Sequence, residues 1–237
     1  MADKATWVVL AGGKGTRSKD PSLPKLLQNA GPANILGLLL KSLPTHEELD
    51  LVFVLKHGAD VVESELSQRA REFPNATFRV LHDAGAGPVA ALQTVATLPT
   101  HDTLAVVLGD TAISAPLGDY LERYFKLFAG RPAISIRQSD HLHDSNAIAL
   151  DWQGSGVRHF GKGETIDSSE GTIWGMSGLM FVPSFQLEHL DDREADIATA
   201  ILKGTPLSQV GFLPISHFFR DSGTPERLES IRAQLEE

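Results

Sequence analysis

The sequence contains no cysteine. Disulfides, thiolate metal centres and cysteine nucleophiles are therefore excluded together, and the absence fits a reducing compartment. Long apolar runs are missing too, since no stretch approaches the ~20 residues needed to cross a bilayer. The opening MADKATWVVLAGG lacks the form of a secretory leader, because its apolar stretch is short and runs straight into glycines. The chain is read as cytoplasmic, with no membrane partner. Positive charge is scarce: 21 Lys and Arg stand against 30 Asp and Glu, for a net charge of −9. Lys and Arg gather into no run, so no nucleic-acid partner is expected. A phosphorylated small molecule is still compatible, because a few placed cations and backbone N–H groups hold a phosphate whatever the global charge. Internal repeats, low-complexity tracts and linkers are also lacking.

What is present is an ordinary globular composition, 42% hydrophobic over 237 residues, enough for a sizeable core. Apolar, β-branched runs at 6–11, 51–55, 77–81, 104–108 and 133–137 predict strands. Between them, helical spacing predicts helices at 33–43, 60–73, 88–98 and 117–128. In the second of these, Val61, Val62, Leu66 and Ala70 are expected to form the buried face. Further strands are predicted at 146–152, 157–160, 172–182 and 210–215, and helices at 193–202 and 225–235. The alternation predicts an α/β fold: Rossmann-like, three layers α/β/α, with a mostly parallel sheet. In such sheets ligands bind outside the carboxyl ends of the strands. The loops after Ala11 and after Leu108 both fall there.

The first of these loops carries the strongest signal: Leu10-Ala11-Gly12-Gly13-Lys14-Gly15-Thr16-Arg17, followed by Pro24-Lys25. Glycines let a backbone approach a triphosphate closely, and consecutive N–H groups form an anion-binding nest. Arg17 can grip phosphate oxygens in bidentate fashion. Two commoner loops do not match. A P-loop requires Ser or Thr straight after Gly-Lys, and here Gly15 follows Lys14 with Val8 at the upstream glycine position. A dinucleotide loop requires a third glycine where Ser18 stands. A Gly-rich turn without a ligand is the bland alternative, and Arg17 with Lys25 argues against it.

The stretch LAGGKGTR with LPKLL resembles the G-G-x-G-T-R…P-K signature of the sugar-1-phosphate nucleotidyltransferases, in particular the mannose- and heptose-1-phosphate guanylyltransferase-like members. The resemblance implies a GT-A-like nucleotidyltransferase core with Mg²⁺ as cofactor. It assigns the triphosphate to Leu10, Ala11, Gly12, Gly13, Gly15, Thr16 and Arg17, and charge stabilisation at the α-phosphate to Lys25. The stretch from Arg17 to Lys25 is shorter than in many sugar-specific members, which leans toward cytidylyltransferase-like or molybdopterin-type relatives.

Two aspartates fit the same family. Asp110 follows the buried run ending in Gly109 and resembles the metal-binding aspartate of the G-D motif. A turn or helix cap is its bland reading. Asp221, in Asp221-Ser222-Gly223-Thr224-Pro225-Glu226-Arg227-Leu228, resembles the second metal ligand of D-x-G-T-P-E-x-L. The same segment also reads as a helix start, with Thr224 as N-cap and Pro225 at the first position. Arg17, Lys25 and Asp110 are the candidate catalytic residues, and Asp110 and Asp221 the candidate metal ligands. Gly85, Gly87 and Pro88 resemble the family's base-contacting loop and lean toward guanine. Lys162 resembles the lysine that pairs with the sugar phosphate. Glu170 is a candidate for the sugar-binding glutamate that Gly161 replaces, and Gly175 and Gly178 are candidates for the strand over the sugar. His141, His143 and Asp144 are read as a solvated loop.

The expected reaction joins a nucleoside triphosphate, GTP before CTP, to a sugar 1-phosphate and releases pyrophosphate. One domain is expected over 1–237, with a nucleotide-binding half at 1–137. The half at 138–237 binds the acceptor and supplies the second metal ligand. A homodimer is a candidate assembly. Two alternatives stay open: a cytidylyl- or molybdopterin-type transferase on a non-sugar phosphate, and a non-catalytic nucleotide-sugar sensor.

Overall fold

Alternation along the early apolar runs dictates two packed faces. In the computed structural model, which describes residues 4–13, 23–44, 48–83, 85, 87–138, 147–151, 156–160 and 172–236, the chain begins β1 (Thr6–Ala11), α1 (Ile35–Ser42), β2 (Leu49–Leu55), α2 (Ala59–Arg69), β3 (Ala76–His82), α3 (Pro88–Gln93), β4 (Thr103–Leu108). It continues β5 (Thr111–Ser114), α4 (Leu117–Phe128), β6 (Ala133–Gln138), β7 (Ala147–Asp151), β8 (Gly156–Phe160), β9 (Thr172–Pro183). Last come α5 (Ile197–Gly204), β10 (Gly211–Pro214), β11 (Phe218–Asp221) and α6 (Pro225–Glu236). The readings placed on Gly15, Thr16, Arg17, Lys162, Glu170, His141, His143 and Asp144 lie outside the described residues.

Trp7, Val9, Leu51, Phe53, Leu55, Ala105 and Val107 point to one side of the sheet, where α1, α2, α4 and α6 pack on them. Val8, Leu10, Val52, Val54, Leu104 and Val106 point to the other, under α3 and α5. This is the three-layer arrangement that the period of two in the strands requires. Strand order is β10-β6-β9-β4-β1-β2-β3, with β7 and β8 extending from β9. β1 runs parallel to β2 and β4, β2 to β3, and β10 to β6. β9 is antiparallel to both β4 and β6 and lies between them.

Local chemistry sets the helix boundaries. Asn34 Oδ1 accepts the Gly37 N–H at 2.8 Å and opens α1. The helix expected over 193–202 begins only at Ile197, because Asp196 is its N-cap and accepts from Thr199 N at 2.8 Å. The helices expected over 60–73 and 88–98 finish as 3₁₀ turns at Ala70–Glu72 and Thr94–Thr97. Val62 and Leu66 are buried as expected, whereas Val61 is 45% exposed and belongs to the solvent face. Thr224 Oγ1 accepts from Arg227 N at 3.3 Å at the start of α6.

The chain moves outward from β1 through β2 to β3, then returns to place β4 on the other side of β1. That reversal is a topological switch point, where the carboxyl ends of adjacent strands leave a crevice. The glycine loop after β1 and the Gly109-Asp110 turn after β4 border it.

Candidate active site

The floor of the crevice is made by a close approach that only glycine permits. Gly109 N donates to Leu10 O at 2.8 Å. A Cβ on Gly109 would fall 2.7 Å from Ala11 Cβ and 2.8 Å from Leu10 O. The turn therefore folds tightly over the end of β1 and carries Asp110 beside Gly12 and Gly13. Gly12, Gly13, Gly109 and Asp110 line one cleft of about 1070 Å³.

Asp221 reaches the same cleft from the far end of the sequence. β11 pairs antiparallel with β5, and Asp221 stands opposite Thr111. Ser222 then locks the junction, its N–H and its hydroxyl both donating to Asp110 O at 2.8 Å. The two carboxylates thus arise from adjacent points of a small ribbon. Asp221 Oδ1 accepts from Gly223 N at 2.6 Å, and Oδ2 pairs with the Arg227 guanidinium.

Lys25 enters on a 3₁₀ turn, Lys25–Leu27. Its Nζ lies 2.8 Å from Asp110 Oδ2. The preceding Pro24 is seated on Gly58, whose φ is +65° and where a Cβ would stand 2.5 Å from Pro24 Cγ. Both the left-handed conformation and the contact call for glycine there.

On the β2–β3 side, Lys56 Nζ donates to Gly85 O at 2.6 Å and lies 3.9 Å from Asp83 Oδ2. Asp83 Oδ1 accepts from Gly85 N at 2.6 Å. Gly12 packs against this pair, where a Cβ would meet Asp83 Oδ2 and Lys56 Cβ, each at 3.3 Å. At Gly13 and Gly87 a Cβ would meet nothing within 4 Å among the described residues, so packing there does not demand glycine. Pro88 opens α3 at its first position. On the β6–β9 side, Arg137, Gly175, Ser177 and Gly178 line the cleft. A side chain at Gly178 would overlap Thr111, which gives that glycine a packing reason of its own.

The structure therefore brings Leu10, Ala11, Gly12, Gly13, Lys25, Gly85, Gly87, Pro88, Asp110, Gly175, Gly178 and Asp221 to one cleft. Lys56, Asp83, Arg137 and Arg227 join them unforeseen. Lys56 and Asp83 directly follow the strands β2 and β3, so the carboxyl-end rule pointed at them. Arg227 stood inside the Asp221 segment, read there only as part of a helix start. Arg137 carried no signal beyond its place at the end of a strand.

Asp110 and Asp221 are the metal-ligand candidates. Among the described residues no group of three or more His, Asp or Glu is arranged to hold a metal ion. Two hard oxygen donors suit a small divalent cation that completes its shell with water and phosphate oxygens.

Residues 7–143 match the family model of the MobA-like NTP transferase domain. Two bifunctional GlmU proteins are similar over 76% of the chain. One, from Pseudomonas fluorescens (strain Pf0-1), is 25% identical over 181 residues. The other, from Pseudomonas syringae pv. syringae (strain B728a), is 30% identical over 182 residues. The matched region spans 38% of the length of each. Three solved structures share the fold. One is described as a glucose-1-phosphate thymidylyltransferase from Bacillus anthracis in complex with a sucrose, at TM-score 0.77 and 17% identity, covering 98% of this chain and 95% of that one. Another is HddC from Yersinia pseudotuberculosis complexed with GMP-PN, at TM-score 0.68 and 18% identity, covering 98% and 100%. The third is an apo UDP-glucose pyrophosphorylase, at TM-score 0.77 and 13% identity, covering 98% of each chain.

Proposed function

Because the chain belongs to the family of MobA-like NTP transferase domains, we propose that it is a nucleotidyltransferase of the sugar-nucleotide pyrophosphorylase type. It joins a nucleoside triphosphate to a sugar 1-phosphate and releases pyrophosphate. The observation that carries this reading is the meeting of Lys25, Asp110 and Asp221 with Gly12 and Gly13 in one cleft. Halves 1–137 and 138–237 then work as one unit, each supplying one carboxylate. A role in surface-glycan precursor synthesis follows from the family resemblance.

The acceptor phosphate is an anion near neutral pH, so attack on the α-phosphorus needs no general base. The obstacle is repulsion between two anions and the charge that builds on the leaving group. Asp110 and Asp221 are the residues to hold Mg²⁺, which when bound supplies charge neutralisation and alignment of the phosphates. The N–H groups of Gly12 and Gly13, with Gly15, Thr16 and Arg17, receive the β- and γ-phosphates. Lys25 stabilises charge at the α-phosphate from its position on Asp110. Gly85, Gly87 and Pro88 border the base. Guanine is the first choice of base, from the resemblance to guanylyltransferases, and cytosine the second. Lys162, Glu170, Gly175 and Gly178 serve the acceptor. Catalysis is then mostly positioning and electrostatics.

Pyrophosphate release, screened over the four common triphosphates against a panel of phosphorylated acceptors, tests the reading. Release with a guanine or cytosine triphosphate and a sugar 1-phosphate is expected. Release only with non-sugar phosphates would establish the cytidylyl- or molybdopterin-type alternative, which the short stretch between Arg17 and Lys25 favours. Tight nucleotide binding with no release from any pair would mark a sensor instead.

A further inference from the structure

Lys56 and Asp83 line the cleft and have no part in the proposed reaction. Each directly follows a strand. Asp83 N donates to Leu55 O at 2.7 Å, so the two residues leave the ends of β2 and β3 side by side. From there both side chains reach Gly85. Asp83 Oδ1 accepts from Gly85 N at 2.6 Å, and Lys56 Nζ donates to Gly85 O at 2.6 Å. Gly85 is thus held at its N–H and at its carbonyl by groups rooted in the sheet. The same pair touches the loop after β1, since a Cβ on Gly12 would stand 3.3 Å from both Asp83 Oδ2 and Lys56 Cβ. The Asp83 side chain is 6% exposed, and Lys56 Nζ lies 3.9 Å from its Oδ2, which offsets part of the cost of burying a charge there. One pair of side chains therefore spans a residue assigned to the phosphates and a residue assigned to the base.

We propose that Lys56 is a positioning residue for the nucleotide. Through the Gly85 carbonyl it fixes the base-bordering glycine relative to Gly12, so that base and phosphates meet surfaces already set for both. Glycine has more backbone freedom to lose than any other residue, and a segment ordered before binding costs the ligand less to engage. In this role Lys56 acts on the base end of the nucleotide and leaves the phosphates to other groups. The inference rests on the reading of Gly85 as part of the base site and of Gly12 and Gly13 as part of the phosphate site.

The test is calorimetric binding to the whole protein of GTP, CTP, UTP and ATP, each with Mg²⁺, and of inorganic pyrophosphate with Mg²⁺. The triphosphate that wild type holds most tightly should bind Lys56→Met about 5- to 30-fold more weakly, the scale of ordering one backbone residue. Pyrophosphate, which has no base, should stay within a factor of about two. A loss of pyrophosphate binding as large as that of the triphosphate would make Lys56 a direct phosphate ligand and overturn the inference. So would a triphosphate affinity within about twofold of wild type. Lys56→Met also strips Asp83 of its cation, and Asp83→Asn controls for this, because an asparagine Oδ1 still accepts from Gly85 N. The double variant should keep the selective loss relative to Asp83→Asn alone. Equal triphosphate binding by those two would show that Lys56 only balances the Asp83 charge, and the positioning role would be wrong. If wild type binds none of the four triphosphates, the nucleotide reading fails and the inference with it. If wild type binds one and Lys56→Met binds it equally well, only the inference fails.

Discussion

Asp110 is held in a net of short bonds: its carboxylate to Lys25, and its carbonyl to the Ser222 N–H and hydroxyl. Asp110→Asn keeps the shape and deletes the charge, so turnover should fall at least ~100-fold, on the scale of a lost electrostatic stabiliser. Near wild-type turnover at saturating Mg²⁺ would remove the metal role. Lys25→Ala should lower turnover more than it raises the half-saturating triphosphate concentration, and steady-state kinetics in both parameters reads this directly. The opposite split would make Lys25 a ground-state binder. Gly109→Ala tests the floor itself, because its Cβ would fall 2.7 Å from Ala11 Cβ. A loss of about 1–3 kcal/mol in denaturant unfolding is expected, the range for overpacking. An unchanged midpoint would show that the turn opens without cost. At this scale the meeting of Gly12, Gly13, Lys25, Asp110 and Asp221 in one cleft was legible in the sequence through the motifs that resemble the family's. Lys56 and Asp83 were marked only by their place after a strand, and Arg137 by its place at the end of one, which does not separate any of them from an ordinary surface charge until the neighbouring strands are in place.

The parallel core was readable from its elements: β1, β2, β4 and β6 are buried β-branched runs, and their helices obey the period of 3.6. The β5–β11 ribbon was not. Each of its strands has four residues, too few to show a period, and the pairing joins segments far apart in sequence. Nor does any local pattern state that β9 runs antiparallel between β4 and β6, because strand direction is set by connections rather than by side chains. Helix α4 allows a test at its own scale. Tyr124 is buried on it, stacks on Phe181 at 4.5 Å and donates to Arg131 O at 3.0 Å. Burial pushes its phenol above the ordinary 10.0. Its contribution to stability is therefore full below the unfolded value and is lost as pH rises through the raised folded value. Urea midpoints should fall above about pH 10, and less steeply in Tyr124→Phe. Identical alkaline limbs would show that the ring ionises as easily in the folded state as in the unfolded chain.

Over the whole molecule the net charge is −9, which repels an anionic substrate. The cleft has a different balance: Lys25, Lys56, Arg137, Arg220 and Arg227 face Asp83, Asp110, Asp196 and Asp221. Local attraction at a few ångströms outweighs distant repulsion once charges lie beyond a Debye length of about 10 Å at 0.1 M salt. The half-saturating triphosphate concentration should therefore rise with added salt at fixed free Mg²⁺. A fall would mean that the global charge governs. The ribbon that unites the two acidic groups also orders events in time. A polypeptide is made from its amino end, so the strand bearing the first carboxylate leaves the ribosome well before the strand bearing the second. During that interval a growing chain carries only the first of the two proposed metal ligands, and on that proposal it would gain the second only when the late strand docks.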